Sequence, residues 1–168
     1  MKGNLYLMMG VAGSGKSTWL KNHLPKNGAV YVSRDEVRFD IVSEEEGYFS
    51  KEKEVFDLFV ENIKLLLSMG LDVYADATHL SYGSRRKLLK AVGVNSYKKA
   101  FVIWIKASLE DCLFHNELRI NTRSYVPPET IESMYTRIKE PELEEGFDTI
   151  FIVENNKPTQ IKRRILFS

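Results

Sequence analysis

Cysteine is almost absent from this chain. Cys112 stands alone in 168 residues, so no internal disulfide can form. The sequence suits a reducing compartment, and a cytoplasmic location is the expectation. Charge bias is missing as well: 24 Lys and Arg face 23 Asp and Glu, a net charge of +1. Bulk attraction to nucleic acid is thereby excluded, and any such site has to be a local patch. No apolar run approaches the roughly 20 residues of a membrane span. The one at the N-terminus is too short for a signal peptide, so no membrane partner is expected. Three scattered histidines, with no second ligand pair near Cys112 and His115, argue against a zinc site. Repeats and low-complexity segments are lacking too. A chain of this length, 43% hydrophobic, suits one domain over 1–168 with a real core.

What is present begins at once. Leu5-Tyr6-Leu7-Met8-Met9 reads as a buried strand and runs straight into Gly10-Val11-Ala12-Gly13-Ser14-Gly15-Lys16-Ser17-Thr18. That is G-x-x-x-x-G-K-[ST], the phosphate-binding loop, in the strand context it requires. Gly10, Gly13 and Gly15 let successive N–H groups turn inward on an anion. Lys16 supplies a mobile charge for the outer phosphates, and the Ser17 hydroxyl suits Mg²⁺. A helix starting near Lys16 points its positive end at the same place. The whole motif, Ser14 and Thr18 included, predicts a nucleoside triphosphate site.

The rest alternates strand and helix. Helix is expected over Thr18–Leu24, ended by Pro25, and strand over Ala29–Ser33, with a new helix from Arg34. Glu44-Glu45-Glu46-Gly47 reads as an exposed acidic loop. Ser50 is a candidate cap for a long helix whose stripe runs from Phe56 to Leu67, closed by Gly70. A strand over Leu71–Ala75 ends at Asp76, and Ser81 or Ser84 caps a helix to about Gly93. Ala100–Ile105 is a strand. Ser108 opens a helix expected to carry Arg119 and Arg123, broken at Val126-Pro127-Pro128. A helix over Glu129–Lys139 and a strand over Thr149–Val153 follow. The tail from Lys157 is basic (Lys157, Lys162, Arg163, Arg164) and is given no structure. This pattern predicts an α/β fold: a parallel sheet of about five strands, helices on both faces, working groups at the strands' C-terminal ends.

Two carboxylates stand at such ends. Arg34-Asp35 is either a helix N-cap with flanking charges or, at Asp35, the base that takes a proton from an attacking hydroxyl. Arg38, three residues on, shares its helix face and would hold an anion on the acceptor. Asp76 is either a turn residue or a carboxylate that helps hold Mg²⁺. Arg119 and Arg123, spaced i, i+4, would close over the triphosphate or else form a solvated face. Arg85, Arg86, Lys87 and Lys90 would track a nucleic-acid backbone or be solvated likewise. His79 lies near Asp76 but is given no role.

The ordered set of Gly10 to Ser17, Arg34-Asp35-Glu36-Val37-Arg38, Asp76-Ala77-Thr78, Arg119 with Arg123, and Val126-Pro127 resembles the polynucleotide kinase family of P-loop proteins. The likeness runs from the P-loop to about Arg137. It implies a P-loop kinase fold with a helical lid over roughly 112–128, and transfer of the ATP γ-phosphate to a 5′-hydroxyl nucleic-acid end. By the same resemblance, Asp35 is the general base and Arg38 grips the acceptor phosphate. Lys16 and Ser17 are the donor-site lysine and the metal-associated hydroxyl, Arg123 is the lid arginine on the donor phosphates, and Val126 is an apolar contact to the terminal base. No DxDGT-like phosphatase motif occurs, so kinase activity alone is expected. A small-molecule kinase of the same fold, acting on a nucleoside, sugar or other metabolite acceptor, is the alternative. A non-enzymatic nucleotide-binding module leaves Asp35 and Arg38 without a purpose.

Overall fold

The computed structural model describes residues 1–155 and 157–163. Among these residues six strands form one sheet: β1 (Leu5–Met9), β2 (Ala29–Ser33), β3 (Asp72–Asp76), β4 (Ala100–Ile105), β5 (Thr149–Glu154) and β6 (Lys157–Arg163). Their order is β2-β3-β1-β4-β5-β6. The first five are parallel, and β6 folds back antiparallel on β5. The expected five-strand sheet thus gains an edge strand from the basic tail, where Lys162 pairs with Glu140. Arg164 lies outside the described residues.

Among the described residues six α-helices accompany the sheet: α1 (Lys16–His23), α2 (Arg34–Ile41), α3 (Glu52–Ser68), α4 (Tyr82–Val92), α5 (Leu109–Glu117) and α6 (Pro128–Thr136). Side-chain alternation along β1 divides the core. Leu5, Leu7 and Met9 face a large cluster with Phe59, Ile63 and Leu67 of α3 and Leu88 of α4. Met8 faces the other way, onto Leu20 of α1, Ile103 and Val153. Period two puts successive residues on opposite faces, and both faces of a parallel sheet need cover. On the α1 side, Tyr6 stacks between Tyr74 and Phe101, with ring centroids 4.4 and 4.6 Å away.

Several local expectations change. Ser50 does not cap α3; Lys51 stands at the cap position without a side-chain bond. Ser81 and Ser84 act together, each hydroxyl accepting from the other's backbone N–H in a capping box. α6 stops at Thr136 rather than Lys139. The helix expected to carry Arg119 and Arg123 ends at Glu117, and both arginines lie in the turns beyond it. Arg85 is no surface cation, being wholly buried.

Register decides where the site falls. Met8 of β1 and Ser33 of β2 both pair with Asp76 of β3, so the three strands end abreast. The P-loop, the Arg34-Asp35 start of α2 and Asp76 therefore emerge side by side. β1 lies between β3 and β4, where the chain order reverses, and such a crevice is where α/β sheets bind ligands.

Candidate active site

The P-loop wraps an open cradle. Gly13 (φ 82°) and Gly15 (φ 99°) take left-handed backbone that side chains rarely tolerate. A Cβ on Gly13 would lie 2.3 Å from the Cys112 carbonyl oxygen, whereas one on Gly15 would project into empty space. His115 Nδ1–H donates to the Gly13 carbonyl at 2.9 Å, tying the loop to α5. Lys16 Nζ folds back on the loop, donating to the carbonyls of Gly10 (2.9 Å) and Val11 (3.2 Å). Burial lowers the lysine's pKa, while Asp76 and Asp35 oppose the shift. Ser14 Oγ is buried without a hydrogen-bond partner among the described residues, and a buried orphan of this kind calls for a ligand or water. The cradle, the orphan hydroxyl and the helix start fit a phosphate chain.

Asp76 is half-buried at the end of β3. Burial raises its pKa, and Lys16 works against that rise. Among the described residues no three His, Cys, Asp or Glu side chains gather as a metal cage. Ser17 and Asp76 supply hard oxygen donors in the number Mg²⁺ takes from protein when phosphates complete its shell. These residues fit that ion.

Beside the cradle lies an ionic cluster that sequence reasoning saw only in part. Arg38 is buried and donates to Asp35 Oδ1, to Glu52 Oε1 through both Nε and Nη2, and to the Tyr48 hydroxyl at 3.0 Å. Tyr48 in turn donates to Asp35 Oδ1 at 2.7 Å. Partial burial, with Asp35 facing it, pushes the Tyr48 phenol up to about 12, so it remains a donor at neutral pH. Both partners sit on Oδ1; among the described residues Asp35 Oδ2 takes no hydrogen bond, and the side chain is 59% exposed. Glu52 also accepts from Arg34 at 3.1 Å. Glu52 and Tyr48 had no sequence signal beyond a helix first turn and an aromatic loop residue. A cavity of about 360 Å³ opens here, lined by Arg38, Glu44, Tyr48, Asn121 and Arg123 among others.

A larger cavity of about 730 Å³ lies on the other side of the P-loop, lined by Gly13, Ser14, Gly15, Thr18, His115 and Arg119 among others. The two arginines expected to act together therefore part company. Arg119 faces the cradle's cavity; Arg123 lines the smaller cavity with Arg38 and Tyr48 and donates to the Val42 carbonyl at 2.7 Å, its guanidinium 4.4 Å above the Phe39 ring. Val126 is half-buried against a cluster of Val11, Leu80, Cys112 and Ile131. Asn116 pins its backbone, accepting from its N–H at 3.0 Å and donating to its carbonyl at 2.6 Å.

Behind the site, Arg85 makes a two-pronged ion pair with Glu145 (2.9 and 3.0 Å) and donates to the His79 carbonyl at 2.9 Å. His79 is buried with φ 47°, and its Nδ1–H donates to the Met8 carbonyl at 2.7 Å. Burial drives its pKa down to about 4, so the ring is neutral. The Thr78 carbonyl accepts from the Gly10 N–H at 3.0 Å. Together these bonds lock the Asp76–His79 turn to the P-loop. The signal for Arg85 was its spacing: it shares a helix face with Leu88, Leu89 and Val92.

A parallel sheet with a P-loop at its centre and acidic groups at the ends of adjacent strands defines a P-loop kinase-like fold. A family model described as an AAA domain matches residues 5–141, and the chain belongs to that family. Among curated proteins none matches. The fold is similar to a chain of the Pnkp1/Rnl/Hen1 RNA repair complex, at TM-score 0.69 and 22% identity over 81% of this chain. This chain spans only 44% of that one. It is also similar to Kti12 from Chaetomium thermophilum in complex with ADP-AlF3, at TM-score 0.68 and 17% identity, over 92% of this chain and 91% of that one. A sugar kinase from Janibacter sp. HTCC2649 matches at TM-score 0.66 and 13% identity, over 94% and 88%. At these identities the likeness shows the fold. No helix among the described residues is long and apolar enough to cross a membrane.

Proposed function

We propose that the protein is an ATP-dependent kinase of 5′-hydroxyl nucleic-acid ends. The observation that carries this reading is the Asp35–Arg38 pair, set where β2 ends abreast of the P-loop strand. The ATP phosphates lie in the Gly10–Thr18 cradle, with Lys16 swinging off its own loop carbonyls onto them and Arg119 facing them from the larger cavity. Mg²⁺, held by Ser17 and Asp76, would neutralise charge on the transferring phosphates. The acceptor's 5′-hydroxyl donates to Asp35 Oδ2. Its oxygen forms a bond to the γ-phosphorus as the bridging P–O bond to ADP breaks, and the proton passes to Asp35. Arg38 holds the phosphate on the 3′ side of the terminal nucleoside, displacing Glu52. The donor role that the resemblance gives to Arg123 falls to Arg119 in this reading, because Arg123 is engaged at Val42.

Arg38→Ala tests the acceptor assignment. KM should rise far more for a 5′-hydroxyl oligonucleotide and for a nucleoside 3′-monophosphate than for a free nucleoside, which offers no anion to hold. Equal losses on all three acceptors would favour the second reading, a metabolite kinase. One observation supports that reading: Glu52 already neutralises Arg38.

A further inference from the structure

The loop between α2 and α3 carries an aromatic group that the chemistry above leaves unused. Phe49 is 68% exposed and Tyr48 41% exposed. Their rings meet edge to face with centroids 4.7 Å apart. Phe39 extends the group, 6.4 Å from Tyr48. Water is a poor partner for such a face, yet the ring is not loosely placed. Tyr48 is bolted to the site by its hydroxyl, which links Asp35 and Arg38, and by the Arg38 guanidinium 4.4 Å over its ring. The same guanidinium stands 5.7 Å from the Phe49 ring. Of the nearby acidic side chains, Glu46 pairs with Lys51, Glu44 with Arg123, and Glu52 with Arg34 and Arg38.

We propose that Phe49, held in place by Tyr48, is a stacking platform for a nucleobase at the acceptor end. This rests on the polynucleotide reading and deepens it. The occupant is a base because of what surrounds the ring. A flat π-face with a guanidinium 5.7 Å away, next to the Asp35–Arg38 pair where the proposed acceptor nucleotide sits, matches a nucleotide, which presents a ring and an anion within one residue. Val126, the base contact implied by the family resemblance, is already half-covered by its own cluster. Stacking tolerates every base, so the platform favours nucleic acid over other alcohols without reading sequence.

The test measures acceptor KM with two oligonucleotides, one natural and one whose first two 5′ nucleosides are abasic. Phe49→Ala and Phe49→Leu should raise KM for the natural strand by about 5- to 150-fold. Both should leave the wild-type KM for the abasic strand unchanged, and Phe49→Trp should restore the natural one. An unchanged KM in the Ala variant, an equal loss on both strands, or a Leu variant as good as wild type would overturn the platform alone. Wild-type protein that transfers phosphate to neither strand would overturn the polynucleotide reading, and the platform with it.

Discussion

Arg123 donates to the main-chain carbonyl of Val42 at 2.7 Å. The bond joins the turn after α5 to the end of α2, on the Arg38 side of the P-loop. A cation at a helix C-terminus is favourable by itself, and here it also forms one wall of the smaller cavity. Arg123→Ala should therefore raise acceptor KM and leave KM for ATP near wild type, whereas Arg119→Ala should raise KM for ATP and lower kcat. Steady-state kinetics in both substrates checks this. The reverse pattern would mean that Arg123 swings to the donor during turnover.

Lys16→Ala should abolish transfer to every acceptor, because the cradle loses its lysine. Circular dichroism should show the fold retained, since Lys16 bonds to carbonyls of its own loop. Turnover near wild type would contradict the P-loop assignment.

The Arg85–Glu145 pair sets a stability prediction. Arg85 is fully buried, so Glu145→Ala strands a charge and should cost about 3–5 kcal/mol in urea unfolding. Adding Arg85→Met to that variant should recover much of the loss, because the stranded charge goes with it. A Glu145→Ala variant as stable as wild type would mean that the charge finds another partner.

His79 adds a pH dependence whose sign is fixed. Its folded pKa of about 4 lies below the ordinary value of 6.5, so the unfolded chain takes up the proton first as pH falls. The neutral ring's stabilisation is complete above pH 6.5 and is lost between there and 4, about 3 kcal/mol for a shift of this size. His79→Asn tolerates the left-handed backbone and keeps a donor for Met8. The difference between wild-type and variant unfolding free energies should shrink across that window. A flat difference would mean that His79 is charged in the native state.

Much of the site was legible because its local chemistry is written in adjacent residues. The P-loop glycines and Ser17 announce themselves by spacing, and strand patterning places Asp35 and Asp76 at strand ends. What stayed hidden depends on long-range pairing. Glu52 lies 14 residues from Arg38 and Glu145 lies 60 from Arg85; nothing local links either pair. Arg119 and Arg123 read as one helical face because nothing between them breaks a helix as Pro127 does. The helix nonetheless ends at Glu117, and Asn121 takes a positive φ of 68° that a helix does not allow. The edge strand β6 was missed because a basic tail lacks the apolar alternation that marks a strand, and its order comes from pairing with β5.

The central claim is that Asp35 accepts the proton from a nucleic-acid 5′-hydroxyl, and Asp35→Asn tests it most directly. The substitution keeps the shape and an oxygen for Arg38 and Tyr48, but removes the base. Single-turnover transfer of labelled γ-phosphate from ATP to a 5′-hydroxyl oligonucleotide is the measurement, with ATP binding followed in parallel. The expected result is transfer to the 5′ end by wild type and a loss of about 10²- to 10⁴-fold in the variant, with ATP affinity retained. An Asp35→Asn variant that transfers at the wild-type rate, or a wild type that labels only small alcohols, would contradict the claim.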